Sequence, residues 1–206
     1  MKTSQYNFDD PEWAANYLRQ GPPAFMPGHG GMLQMAAVLL NERVPEDGLV
    51  LVVGAGGGLE IRYLSGFAAG WRFVGVDPSA SMLNLARATA GPVAGDRMSL
   101  IEGKVEDVPN GPFDAATCML VMGLIPDDGS KLMTLKGVHQ RLKPGAPFIL
   151  VDQCMNRSAS DFELRLSRYA AFALASGVSS ARPWMVHAKC LRRTAAWSRR
   201  RETRIS

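Results

Sequence analysis

Cysteine is scarce: Cys118, Cys154 and Cys190 are the only three in 206 residues, spaced 36 positions apart with no C-x-x-C pair. That spacing gives neither a disulfide framework nor a zinc-ligand set, so no metal site is expected. No run of eighteen apolar residues occurs, which argues against a transmembrane helix and a membrane partner. The opening MKTSQYNFDDPEW is polar and acidic where a secretory leader needs an apolar stretch, pointing to a cytoplasmic chain. Apolar content of 47% with 20% charged residues excludes disordered, collagen-like and coiled-coil proteins. A chain of this length fits one domain.

A positive balance is also missing from most of the chain, although the net charge is +4. Residues 182–206 carry +7, which leaves −3 on residues 1–181. The high isoelectric point belongs to the tail, and a basic face for nucleic acid is not expected on the body.

What the sequence does contain is strand–helix alternation. Residues 9–20 open with Asp-Asp-Pro, a helix start. GPPAFMPGHGG at 21–31 breaks that helix, and MLQMAAVLLNER at 32–43 reads as the next. LVLVV (49–53) is short, β-rich and wholly apolar, as a strand buried on both faces should be. LEIRYLSGFAAG then reads as a helix, RFVGV (72–76) as a strand, and PSASMLNLARATAG (78–91) as a helix with Pro at its start and Gly at its end. MSLIEG (98–103), DAATCML (114–120) and PFILVD (147–152) complete five strands, with an amphipathic helix at 130–142 before the last. This order implies an α/β fold: a doubly wound, mainly parallel sheet with its ligand at the carboxyl ends of the strands.

The turn Val53-Gly54-Ala55-Gly56-Gly57-Gly58 follows the first strand and opens a helix. Glycine there permits close backbone approach, and the helix end offers bare N–H groups to an anionic ligand. Asp77 closes the second strand, 21 residues beyond Gly56, where a carboxylate can accept both ribose hydroxyls of an adenosine. The structural alternative is that Asp77 only caps the helix bearing Pro78. Leu59 stands where a dinucleotide fingerprint needs its third glycine, which disfavours NAD.

Glycines at the alternate positions 54, 56 and 58 resemble motif I of the class I S-adenosylmethionine-dependent methyltransferases. VGVDPSASMLNLAR resembles that family's second motif and LIEGKVEDVP its third; FDAATCMLVMGLIPD and LKPGAPFILVD resemble its fourth and fifth strands. The likeness runs from about residue 5 to 155, and FDDPEWAANYLRQGPPAFMPGHGGM resembles the N-terminal lid of small-molecule members and of carboxy-S-adenosylmethionine synthase. The resemblance implies a Rossmann-like fold, S-adenosylmethionine as cofactor and methyl transfer to a small molecule. It places Gly54, Ala55 and Gly56 under the methionine part and Asp77 on the ribose. Pro78 and Met82 fall against the adenine, with the Val105 N–H and Glu106 facing its edge. Met119 falls near the sulfonium, and Tyr17 and Arg19 of the lid near the carboxylate end. Against these stand core packing for Met82 and Met119, and a solvated helix position for Arg19.

Departures accompany the matches. Val52 replaces the acidic residue usual in motif I, Lys104 stands where Asp is frequent, and Gly123-Leu124 replaces a pair that is often His-His. The only candidate base is His29, more simply structural, and no catalytic residue is assigned; positioning supplies much of the rate of an in-line methyl displacement.

The organisation expected is a helical lid over 1–45, a cofactor-binding core over 46–177 and an atypical Arg-rich tail over 178–206. The family usually closes its sheet with an antiparallel hairpin, for which VSSARPWMVHAKCLRRTAAWSRRRETRIS offers no alternating pattern. The hairpin is taken as missing and the tail as disordered or out of frame. An RNA methyltransferase using that basic tail, and a cofactor-binding remnant without turnover, are the alternatives. Loss of the hairpin would leave the fifth strand an open edge suited to a homodimer.

Overall fold

A computed structural model describes residues 8–153, 156 and 158–178. Strand β1 (Leu49–Val53) forms where five consecutive β-branched or leucine residues leave no polar face to solvate. Strands β2 (Arg72–Asp77), β3 (Met98–Glu102), β4 (Ala115–Met119) and β5 (Phe148–Val151) join it in one parallel sheet of order β3-β2-β1-β4-β5. The chain winds outward from β1 to β3, then crosses back beside β1 to lay down β4 and β5. That reversal sets the switch point between β1 and β4, where Val53 pairs with Cys118, and an open α/β sheet binds its ligand at such a point. The five-stranded Rossmann-like sheet is therefore as the alternation predicts, with strand ends differing by at most one residue.

The helices depart more. Helix α1 spans Pro11–Gln20. Pro22 at the first turn starts a short helix α2 (Pro22–Phe25) inside the stretch expected to be irregular. Helix α3 begins at His29 and runs to Asn41, so Gly30 and Gly31 lie in its first turn instead of ahead of it. Helix α4 covers Leu59–Phe67. Helix α5 covers Ala80–Ala94, starting after Pro78 and passing through Gly91 and Pro92 to end at Gly95. Pro92 lies in the final turn, and Gly95 takes a positive φ of 54° that stops the helix. Helix α6 (Ser130–Arg141) precedes β5, and helix α7 (Phe162–Ala175) follows it.

The described residues divide into two compact units: 8–15 with 30–153, and 16–29 with 156 and 158–178. The first holds the sheet. On one face Val50, Val52, Phe73 and Ala115 pack with Leu40 of α3, Ile61 and Leu64 of α4, and Leu83 of α5. On the other, Leu51, Val53, Val76 and Cys118 pack with Val138 of α6 and with Val105, Val108 and Phe113. Covering both faces buries β1 completely beyond Leu49. In the second unit, Ala24 packs with Ala173 and Val178, and the Phe25 and Tyr169 rings lie 6.1 Å apart. Among the described residues β3 and β5 form the sheet edges, and Leu150 of β5 is 46% exposed. The tail expectation falls on residues 179–206, outside the described residues.

Candidate functional site

The carboxyl end of β1 turns through Gly54 and Gly56, with φ of 72° and 47°, and enters α4 at Gly58 with φ 78°. L-residues strongly disfavour these angles. Gly58 is doubly constrained, since an added Cβ would come within 2.8 Å of Ala86 Cα on α5. The Gly54 and Ala55 N–H groups both donate to Val76 O on β2, at 2.8 and 3.0 Å. The turn is thereby tied to the strand that carries Asp77.

Asp77 binds the turn directly. Its Oδ2 accepts the Gly56 N–H and its Oδ1 accepts the Ser79 N–H, both at 2.9 Å. Burial lifts this carboxyl above its ordinary 3.8, with nearby Asp9 adding to the rise and the two N–H bonds opposing it. Asp77 is not the cap of α5. That role falls to Ser79, whose Oγ accepts the Met82 N–H at 3.2 Å and donates to Phe8 O at 2.8 Å. Ser81 Oγ donates to Asp9 O at 3.0 Å, so the two serines of PSAS fasten residues 8 and 9 beside the carboxylate.

Beyond β3, Asp107 accepts the Lys104 N–H at 2.8 Å and closes a short turn over Val105–Asp107. Arg141 of α6 clamps this turn from inside. Its guanidinium is buried and donates to Glu106 O at 2.9 Å, to Val108 O at 2.8 and 2.9 Å, and to Gly137 O at 3.1 Å. Val105 is buried, and Gly137 leaves the room its side chain fills. The end of β4 carries a further sign of a site: Leu120 holds a left-handed φ of 61°, a conformation that clusters where structure serves function. Next to it, Asp152 Oδ2 accepts the Gly123 N–H at 2.7 Å.

Gly54, Ala55, Gly56, Asp77, Pro78, Met82, Val105, Glu106 and Met119 all lie in the sheet-bearing unit. Pro78 and Glu106 are exposed, while Met82 is buried. Met119 is packed with Leu33 and Ala36 of α3. Tyr17 and Arg19 belong to the other unit, where Arg19 Nη2 donates to Asn16 Oδ1 at 2.8 Å. Burial holds His29 below its ordinary imidazole value. Sequence reading missed Ser79, Arg141 and Glu60, the last a buried carboxyl in the first turn of α4. Of these only Ser79 carried a signal, serine being a favoured N-cap residue.

Residues 50–145 match the family model of a methyltransferase domain. Among solved structures, the chain is similar to one from the Haloferax volcanii complex of the Trm112 methyltransferase activator with a methyltransferase. That match has a TM-score of 0.56 at 22% identity, over 83% of this chain and 76% of that one. It is similar to the YcgJ protein of Bacillus subtilis, with TM-score 0.56 and 18% identity over 77% of this chain and 82% of that one. It is also similar to an S-adenosylmethionine-dependent methyltransferase of Thiobacillus denitrificans solved with S-adenosylhomocysteine. There the TM-score is 0.52 at 18% identity, over 68% of this chain and 54% of that one. No curated protein sequence matches. The structural likenesses show the fold, and residues 50–145 carry the match to a methyltransferase domain. The donor set suits S-adenosylmethionine: a glycine turn of left-handed backbone beside a fixed, largely buried carboxylate that can take ribose hydroxyls. No helix of the described residues is long and apolar enough to cross a membrane, and none of those residues form a cluster able to hold a metal.

Proposed function

We propose that the protein methylates a small-molecule acceptor, with the cofactor seated along the carboxyl ends of β1, β2 and β4. The observation that carries this reading is the two-point hold of Asp77 on Gly56 and Ser79. It fixes a carboxylate beside the glycine turn, with lone pairs left for two hydroxyl donors. When bound, S-adenosylmethionine supplies an electrophilic methyl group on a positively charged sulfur. Gly54, Ala55 and Gly56 pass under its methionine part and Asp77 holds the ribose. Pro78 and Met82 lie against the adenine, the Val105 N–H and Glu106 meet its edge, and Met119 lies toward the sulfonium. No base is assigned, and orientation of the two reactants carries the chemistry.

A small acceptor is favoured over nucleic acid because residues 1–181 carry a net charge of −3, whereas phosphate contacts require clustered Lys and Arg. The +7 of residues 182–206 supports the second reading, RNA. We also place the protein in the cytoplasm and propose β5 as a homodimer edge. Incubation with methyl-labelled cofactor and either a small-metabolite extract or cellular RNA separates these readings. Label in the small-molecule fraction supports the proposal. Label confined to RNA and lost on deleting 182–206 transfers it to the tail, and bound cofactor without turnover identifies a remnant.

A further inference from the structure

Position 52, acidic in the motif that the glycine turn resembles, is valine, yet a buried carboxyl stands on the helix that follows the turn. Val52 pairs with Thr117 across β1 and β4. The Glu60 carboxyl reaches the Thr117 side chain from the first turn of α4, two residues past the left-handed Gly58. Neither Glu60 Oε1 nor Thr117 Oγ1, both buried, has a hydrogen-bonding partner among the described residues. The ion pairs among those residues are Lys143–Asp114 and Arg165–Asp161, so no cation is paired with Glu60. Burial pushes its carboxyl up to about 7, against a smaller opposing pull from Thr117.

The groups around it offer no compensation. The core that α3, α5, β1 and β2 build on this face of the sheet is apolar, with Leu40, Leu83, Val52 and Phe73 among its members. From β4 come Thr117 and the Cys118 thiol, itself pushed up to about 12 by burial and by the charges of Glu60 and Asp152. A buried carboxyl with unused acceptor capacity is costly unless it is neutral or meets a cation.

Two buried oxygens with unused acceptor capacity, one of them able to carry negative charge, suit a cation with several N–H groups. An ammonium offers three donors and needs no acceptor, whereas a sulfonium offers no donor at all. We propose that Glu60, with Thr117, is the receptor for the ammonium of the cofactor's amino-acid end, supplied from helix α4 in place of the strand carboxylate that Val52 lacks. This rests on the reading that the glycine turn lies under the methionine part. Glu60 is protonated in the free protein below neutral pH, and it gives its proton to solvent when the ammonium arrives.

The test is calorimetric titration of wild type and Glu60→Gln with two ligands, S-adenosylhomocysteine and methylthioadenosine; the second keeps the adenosine and lacks the amino acid. The expected result is an affinity loss of about tenfold or more for S-adenosylhomocysteine in Glu60→Gln, with methylthioadenosine unchanged. Titration at pH 6 in buffers of different ionisation enthalpy should show proton release in wild type and none in the variant. Equal weakening of both ligands, or equal S-adenosylhomocysteine affinity and proton release in both proteins, would overturn the proposal. Failure of wild type to bind either ligand would remove the cofactor reading itself, and this inference with it. Retained methylthioadenosine binding also certifies that the variant is folded.

Discussion

Asp77 Oδ2 receives the Gly56 N–H at 2.9 Å, so a residue at the end of one strand fixes the turn that follows another. Removing that carboxylate strands two partly buried N–H groups, those of Gly56 and Ser79. Asp77→Ala should therefore lower stability by about 3 kcal/mol, read as the denaturant midpoint. Because burial raises this carboxyl, cofactor affinity in wild type should begin to fall on acidification at a higher pH than the ordinary aspartate value of 3.8. Titrating S-adenosylhomocysteine across that range measures the onset.

Gly58 combines a φ of 78° with a Cβ position closed off by the Ala86 backbone. Gly58→Ala incurs both left-handed strain and displacement of α5 and should cost about 2–3 kcal/mol. Gly91, where nothing lies within 4 Å of an added Cβ, is the control. Its position inside α5 predicts that Gly91→Ala stabilises by about 0.5–1 kcal/mol, so thermal melting of the two variants should move in opposite directions.

Arg141 gives all its bonds to backbone carbonyls, two of them in the Glu106–Val108 segment. Arg141→Met fills similar volume but leaves those carbonyls without donors. It should destabilise by about 3 kcal/mol and weaken methylthioadenosine binding through the displaced Val105 turn. Saturation transfer to the adenine protons reads the local loss.

The sheet was legible because its strands are wholly apolar runs bounded by turns, and the turn with Asp77 was legible because its residue types are spaced by the crossover. Helix ends were less so. Gly91 and Gly30 read as breakers, but glycine lowers helix stability without forbidding it, and surrounding contacts decided the outcome. Glu60 and Arg141 were illegible for a different reason. Each looks like an ordinary charged residue of an amphipathic helix, and only the three-dimensional packing turns its side chain inward.

Glu60 also makes a prediction about the free protein. Its carboxyl is raised from 4.5 to about 7, so its neutral form favours the fold below pH 4.5, and that advantage is lost as pH rises through 7. The loss amounts to roughly 3 kcal/mol. Glu60→Gln should flatten this part of the profile and exceed wild type in stability at pH 8, as urea denaturation at pH 5 and pH 8 would show.

The central claim is that the Asp77–Gly56 junction holds the adenosine of S-adenosylmethionine. Calorimetric titration of the whole chain with S-adenosylhomocysteine, with NAD as the competing nucleotide and Asp77→Asn alongside, tests it most directly. The account predicts micromolar binding, about −8 kcal/mol, for wild type, none for NAD, and at least a tenfold loss in the variant. Equal binding by wild type and Asp77→Asn, or no binding by a folded wild-type chain, would contradict it.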